Sequence, residues 1–348
     1  MAYSTISKPG LHHNTVTYTG NGGTQALTGV GFQPDWVWIK RRNSSGGNMI
    51  TDVVRGVTKT IVTNETSATQ TLANGLTAFG TDGFTVGSES GFNGSSDTFV
   101  SFNWKAANSQ GSSNTDGSIN STYTSANTTA GFSIVQYTGT GSNATVGHGL
   151  GAAPNVVIIK KTSGTSQWVF GTTALGFTKF LELNLTGAAQ TNSNRFNDTN
   201  PTSTVFSIGT EGDVNSSGGT YIAYCFAEKQ GYSKFGSYTG NGNGPDGTFV
   251  YTGFKPAFLL IKRTDTTKNW FLHDYKRLGY NPKNEYLHPN LNSAETTSTE
   301  LDILSNGFKL LNSGSGHNAS GGTYIYMAFA EEPIVANVGA NGIPATAR

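Results

Sequence analysis

Charge is scarce in this chain. Only 12% of its 348 residues are Asp, Glu, Lys or Arg, and they sum to a formal net charge of +1, which gives nucleic acid or an anionic membrane little to attract. Cysteine is scarcer still: Cys225 stands alone, so no internal disulfide can staple the fold, and stability must come from packing or association. No apolar run approaches the ~20 residues of a membrane-spanning helix, so membrane insertion is not expected. Met1 to Gly10 has no basic region followed by an apolar one, so no signal peptide is read and synthesis in the cytosol is expected. Also missing is any apolar stripe held at three- and four-residue spacing over three turns; Ala174 to Leu185 comes nearest.

What is abundant points to strands and tight turns: 46 glycines, many Thr, Ser and Asn, and 11% aromatics. The chain also repeats itself. Tyr18-Thr-Gly-Asn-Gly22 returns as Tyr137-Thr-Gly-Thr-Gly141 and as Tyr238-Thr-Gly-Asn-Gly242. Sixteen to eighteen residues after each tyrosine stands a proline (Pro34, Pro154, Pro256), and six residues later a lysine (Lys40, Lys160, Lys262). The runs ending at those lysines are continuously apolar, as a strand covered on both faces requires. After a further 58, 60 and 61 residues, Thr98, Thr220 and Thr323 open strands with a large apolar residue at every second position. Those positions are Val100, Phe102 and Trp104, then Ile222, Tyr224 and Phe226, then Ile325, Met327 and Phe329.

The pattern predicts an all-β chain of three tandem antiparallel β-sandwich modules, jelly-roll or lectin-like, at residues 1–108, 131–230 and 231–332. A Ser/Thr/Asn-rich linker at 109–130 separates the first two, with an edge strand in this region as the alternative reading. Residues 333–348 read as an extended C-terminal tail, expected to lie against a neighbouring subunit or capsid protein.

Few residues are of a type and spacing that could carry chemistry. The glycine-rich turns precede strands, so β-turns outweigh a phosphate-binding role, and Asn241 to Asp246 has too few carboxylates for a good calcium site. The six histidines show no zinc spacing, although His273-Asp274 could orient an imidazole. Cys225 falls where the other copies have Asn103 and Ala328, a slot for a small inert side chain. Glu228 and Glu331 recur at one repeat position, which suits ion pairs with Lys160 or Lys262 better than catalysis. Trp168 and Trp270 each follow their lysine by eight residues, and for these two a core role and sugar stacking weigh about equally. No catalytic, cofactor or metal residues are assigned.

The chain resembles a group of repeat-containing proteins of marine tailed bacteriophages. The residues that carry the likeness are Gly31-Phe-Gln-Pro-Asp-Trp-Val-Trp-Ile-Lys40, Gly131-Phe-Ser-Ile-Val-Gln-Tyr-Thr-Gly-Thr-Gly141, Gly253-Phe-Lys-Pro256 and Gly321-Gly-Thr-Tyr-Ile-Tyr-Met-Ala-Phe-Ala-Glu331. The ending Ile343-Pro-Ala-Thr-Ala-Arg348 is similar too. The resemblance implies a non-enzymatic virion surface protein, a tail fibre or spike component or a head decoration. The alternatives are a glycan-binding adhesin and, behind it, a polysaccharide depolymerase. Expected partners are other virion proteins, a host surface glycan and further copies of the chain, a homotrimer first, because small β modules leave sheet edges and apolar faces to cover.

Overall fold

Each central strand is entered through a backbone turn that favours glycine. Gly31, Gly151 and Gly253 have φ of +88°, +67° and +84°, a left-handed conformation that side chains disfavour. Pro34 and Pro154 then hold the chain extended before their strands, while Pro256 sits at a register shift inside its own.

The computed structural model describes residues 4–278 and 280–333. The first repeat contains β1 (His13–Thr19), β2 (Gln25–Thr28), β3 (Trp36–Arg41), β4 (Asn48–Asp52), β5 (Lys59–Val62), β6 (Gln70–Thr71), β7 (Leu76–Gly80), β8 (Gly83–Val86) and β9 (Thr98–Trp104). The second contains β10 (Tyr123–Asn127), β11 (Phe132–Thr138), β12 (Ala144–Gly147), β13 (Val156–Lys161), β14 (Trp168–Thr172), β15 (Lys179–Glu182), β16 (Gln190–Thr191), β17 (Val205–Ile208) and β18 (Thr220–Phe226). The third contains β19 (Ser233–Thr239), β20 (Phe249–Tyr251), β21 (Phe254–Arg263), β22 (Trp270–Asp274), β23 (Lys283–Tyr286), β24 (Thr296–Leu304), β25 (Gly307–Leu310) and β26 (Thr323–Pro333). Among the described residues helix is confined to single turns such as Ser193–Phe196, and the nearest helical candidate, Ala174 to Leu185, holds β15 instead.

The fold is all-β and its paired strands are antiparallel. Three large sheets share one order of four strands: β1-β9-β3-β4, β11-β18-β13-β14 and β19-β26-β21-β22. A smaller sheet accompanies each: β2-β8-β7, β12-β17 and β20-β25-β24-β23. The region read as a linker contributes β10, which pairs with β11 from Tyr123↔Gln136 to Asn127↔Phe132, so the edge-strand alternative is the one that occurs.

The continuous apolar runs serve two cores at once. Val37 and Ile39, Val157 and Ile159, and Leu259 and Ile261 face a core private to their own repeat. Their alternates, Trp36 and Trp38, Val156 and Ile158, and Phe258 and Leu260, face one core common to all three repeats, joined there by the period-two residues of β9, β18 and β26. Each pair of large sheets meets in this centre. Ring centroids are 4.7 Å apart for Trp36 and Tyr224, 5.1 Å for Trp104 and Phe258, and 5.7 Å for Phe226 and Phe329. Residues 334–348, where the tail was expected, lie outside the described residues.

Candidate functional site

The Tyr-Thr-Gly-x-Gly motif is a structural clasp. A side chain on Gly20, Gly139 or Gly240 would run into the carbonyl of Gly94, Ser216 or Ala319, and the second glycine of each motif (Gly22, Gly141, Gly242) has φ between +71° and +79°. The tyrosine hydroxyl donates to the carbonyl of Phe92, Val214 or His317, at 2.6, 2.7 and 2.8 Å. The next residue along is a buried asparagine in every case: Asn93, Asn215 and Asn318. Its Oδ1 accepts the N–H of the motif's fourth residue at 2.9, 2.7 and 2.9 Å. Its Nδ2 donates to loop carbonyls, Ser142 and Gly209 in the second repeat. These asparagines escaped the sequence reading, although each precedes its Thr98, Thr220 or Thr323 by five residues.

The repeated lysines bind across the boundaries between repeats, not to the repeated glutamates. Lys40 Nζ donates to the Asn292 carbonyl (3.1 Å), Lys160 Nζ to that of Thr66 (3.0 Å) and Lys262 Nζ to that of Thr186 (3.2 Å). First reaches third, second reaches first and third reaches second, so the ring closes. The amides of Gly46, Ser166 and Lys268 bond the same three carbonyls, and the amides of Thr69, Ala189 and Glu295 return bonds to Thr162, Thr264 and Arg42. Burial pushes each lysine down to about 8. The expected glutamate partners are corrected: Glu228 pairs with Lys234 at 3.2 Å and Glu331 with Lys255.

Trp168 and Trp270 belong to the same ring. They are 0% and 1% exposed, and their indole Nε1 groups donate to the Val62 and Glu182 carbonyls of the preceding repeat, both at 3.0 Å. Neither offers a face for a sugar to stack on, which corrects the sugar-stacking reading. Asn48, at the same place in the first repeat, donates to His288 and Leu291 of the third.

Two polar clusters lie in the third repeat and beside it, the first buried and the second half-buried. His273 Nε2 lies 3.0 Å from His317 Nε2, and His317 Nδ1 lies 3.0 Å from Glu300 Oε2. Burial raises the Glu300 carboxyl, yet hydrogen bonds from His317 and Asn312 hold it below its ordinary value. The residues are at most 8% exposed, so this carboxylate–imidazole chain is enclosed. Asp274, thought able to orient His273, pairs instead with Arg277. Nearby, Arg277 and Arg42 both hold Glu295, whose carboxyl is raised by burial but lowered further by these two cations. Cys225 is buried, and burial drives its thiol up, away from reactivity. In the Asn241 to Asp246 loop, Asp246 bonds Lys309 at 2.8 Å, and among the described residues no group of three His, Cys, Asp or Glu side chains could hold a metal.

Grooves follow the boundaries. That between the first and second repeats has a volume of about 430 Å³ and is lined by Arg55, Thr69, Tyr123, Gln136 and Thr162. That between the second and third, about 660 Å³, is lined by Leu175, Ala189, Ser237 and Thr264, residues at the corresponding places, and by Ala174. At the remaining boundary the corresponding places hold Arg42 and Glu295, joined by two hydrogen bonds of 3.0 and 2.9 Å.

A family model described as a domain of unknown function, DUF7483, matches residues 8–333. The chain belongs to this family. The matched stretch takes in all three repeats, as does the ring of lysine and tryptophan contacts. A comparison with curated proteins gives no match.

Proposed function

We propose that this chain is a non-enzymatic virion surface protein of a tailed bacteriophage, a tail fibre or spike component or a head decoration, working through broad surfaces. The observation that carries the non-enzymatic reading is the use of the repeat-defining side chains. The tyrosines, asparagines, lysines and tryptophans all hold the fold together, and Glu228 and Glu331 each have a lysine partner. The virion assignment rests on the sequence resemblance. Each third is proposed as a β-sandwich module, one large sheet against one small, wrapped round a centre shared with its neighbours.

The case for a homotrimer was that sheet edges and apolar faces need cover. Here one chain covers the faces for itself, because three large sheets bury their inner faces against one another. This supports a single chain standing where three would otherwise assemble. No helix of the described residues is long and apolar enough to cross a membrane. Immunogold labelling of gradient-purified particles, with the mass of the purified chain from light scattering, tests the reading. Labelled particles and a single-chain mass are expected, and particles without the protein would overturn the assignment.

A glycan-binding role keeps one specific support. Phe249 and Tyr251, alternate residues of β20, are 45% and 52% exposed, and Tyr251 lines a groove of about 400 Å³ with Glu228 and Lys234. Aromatic faces beside hydrogen-bonding groups suit a sugar ring. Loss of host-glycan retention on Tyr251→Ala would favour this reading. Shortening of the polysaccharide on incubation would instead point to a depolymerase.

A further inference from the structure

We propose that the groove between the second and third repeats is a docking site for an extended polypeptide strand from another protein, which adds to the edge of β19. This goes beyond the surface role above and does not depend on it. The internal repetition shows what such an edge accepts. β11 and β19 hold the same place in their sheets, and β11 is covered by β10 in register Tyr123↔Gln136. Among the described residues no strand lies beyond β19.

The Gln136 carbonyl accepts the Thr122 amide at 2.7 Å on its outer side, and by the shared register the N–H and C=O of Ser237 point the same way. The edge is blocked at its two ends, where the Glu228 carboxylate caps the Phe235 amide at 3.2 Å and the Thr248 hydroxyl donates to the Thr239 carbonyl at 3.0 Å, and Ser237 lies between them. The groove floor agrees. Tyr123 packs against the central core in its own groove, whereas at the β19 groove the corresponding floor is formed by Ala174, Leu175 and Ala189, partly buried apolar residues. Arg55 and Thr69 stand where Leu175 and Ala189 stand here, so this floor is the more apolar of the two. At the remaining boundary the position is filled by Arg42 and Glu295, and the Thr15 amide on β1 is taken by Asn14. The occupant is therefore a strand with an aromatic or large apolar residue opposite Ser237, held by main-chain hydrogen bonds.

The probe is a fluorescent peptide with the sequence of residues 121–127, Ser-Thr-Tyr-Thr-Ser-Ala-Asn, titrated against the full chain by polarisation. Saturable binding is expected. Leu175→Arg, which sets a charge on the floor, and Ser237→Pro, which removes an outward donor without touching the β26 side, should each weaken it roughly tenfold or more. No saturation, or binding that ignores both substitutions, overturns the proposal. It is equally overturned if a chain ending at Pro333 binds where the full chain does not, since the groove then takes the chain's own last residues. A doubled light-scattering mass that Leu175→Arg returns to one chain assigns the groove to a second copy and overturns it too.

Discussion

Asn215 satisfies three backbone groups at once, the Thr140 amide and the carbonyls of Ser142 and Gly209, in a place with no solvent. Asn215→Ala leaves all three unpaired and should cost about 3 kcal/mol, read as a lowered urea midpoint at unchanged slope. A cost under about 1 kcal/mol would mean that the loop relaxes onto other partners. His13 poses the opposite problem. It lies among Trp104, Phe258 and Phe329, 1% exposed, and neither ring nitrogen has a hydrogen-bond partner among the described residues. Burial pushes its pKa from 6.5 to about 3, against a smaller upward pull from Asp274. Below the unfolded value the unfolded chain binds more protons, so stability falls as pH drops from about 6.5 toward 3, by about 2 kcal/mol at pH 5 from this residue. His13→Phe should flatten that limb of a pH series of thermal melts; an unchanged limb would shift the loss to His12, His148 or His288, which burial also holds low. The clasp glycines and tyrosines were legible because they repeat in a short motif. The asparagines were not, since their partners lie more than 70 residues away.

At the scale of elements, the central strands were read correctly as covered on both faces, because an unbroken apolar run such as Val157-Ile-Ile159 has no side to show to water. What the period-two pattern of β9, β18 and β26 does not encode is which partner covers the inner face. An apolar face requires a neighbour but does not name it, and here the neighbour is the other two repeats. The same gap left Trp168 and Trp270 evenly balanced between core and sugar. Their indole donors make the difference testable. Trp270→Phe keeps most of the apolar volume but strands the Glu182 carbonyl, and should cost about 2 kcal/mol, measured by denaturant titration. Retention on host glycan should not change with it. Weaker glycan retention at unchanged stability would restore the sugar-stacking role.

For the whole molecule, the common core decides how the chain must fold. A lone second repeat would present Phe132, Ile134, Val156, Ile158, Trp168, Phe170, Ile222, Tyr224 and Phe226 to water, all of them buried in the intact chain by sheets from the first and third repeats. An apolar face of that extent is incompatible with a stable isolated domain, since each of its large side chains forgoes about 1.5–3 kcal/mol of burial. The ring of lysine and main-chain bonds would be cut at both ends as well. Residues 131–230 expressed alone should therefore lack near-ultraviolet circular dichroism and a cooperative melt. The full chain should unfold in one calorimetric transition whose van't Hoff and measured enthalpies agree. A 131–230 fragment with native aromatic signals and its own sharp transition would show that the three repeats are independent domains that merely touch, and the shared centre would then be an interface and not a core.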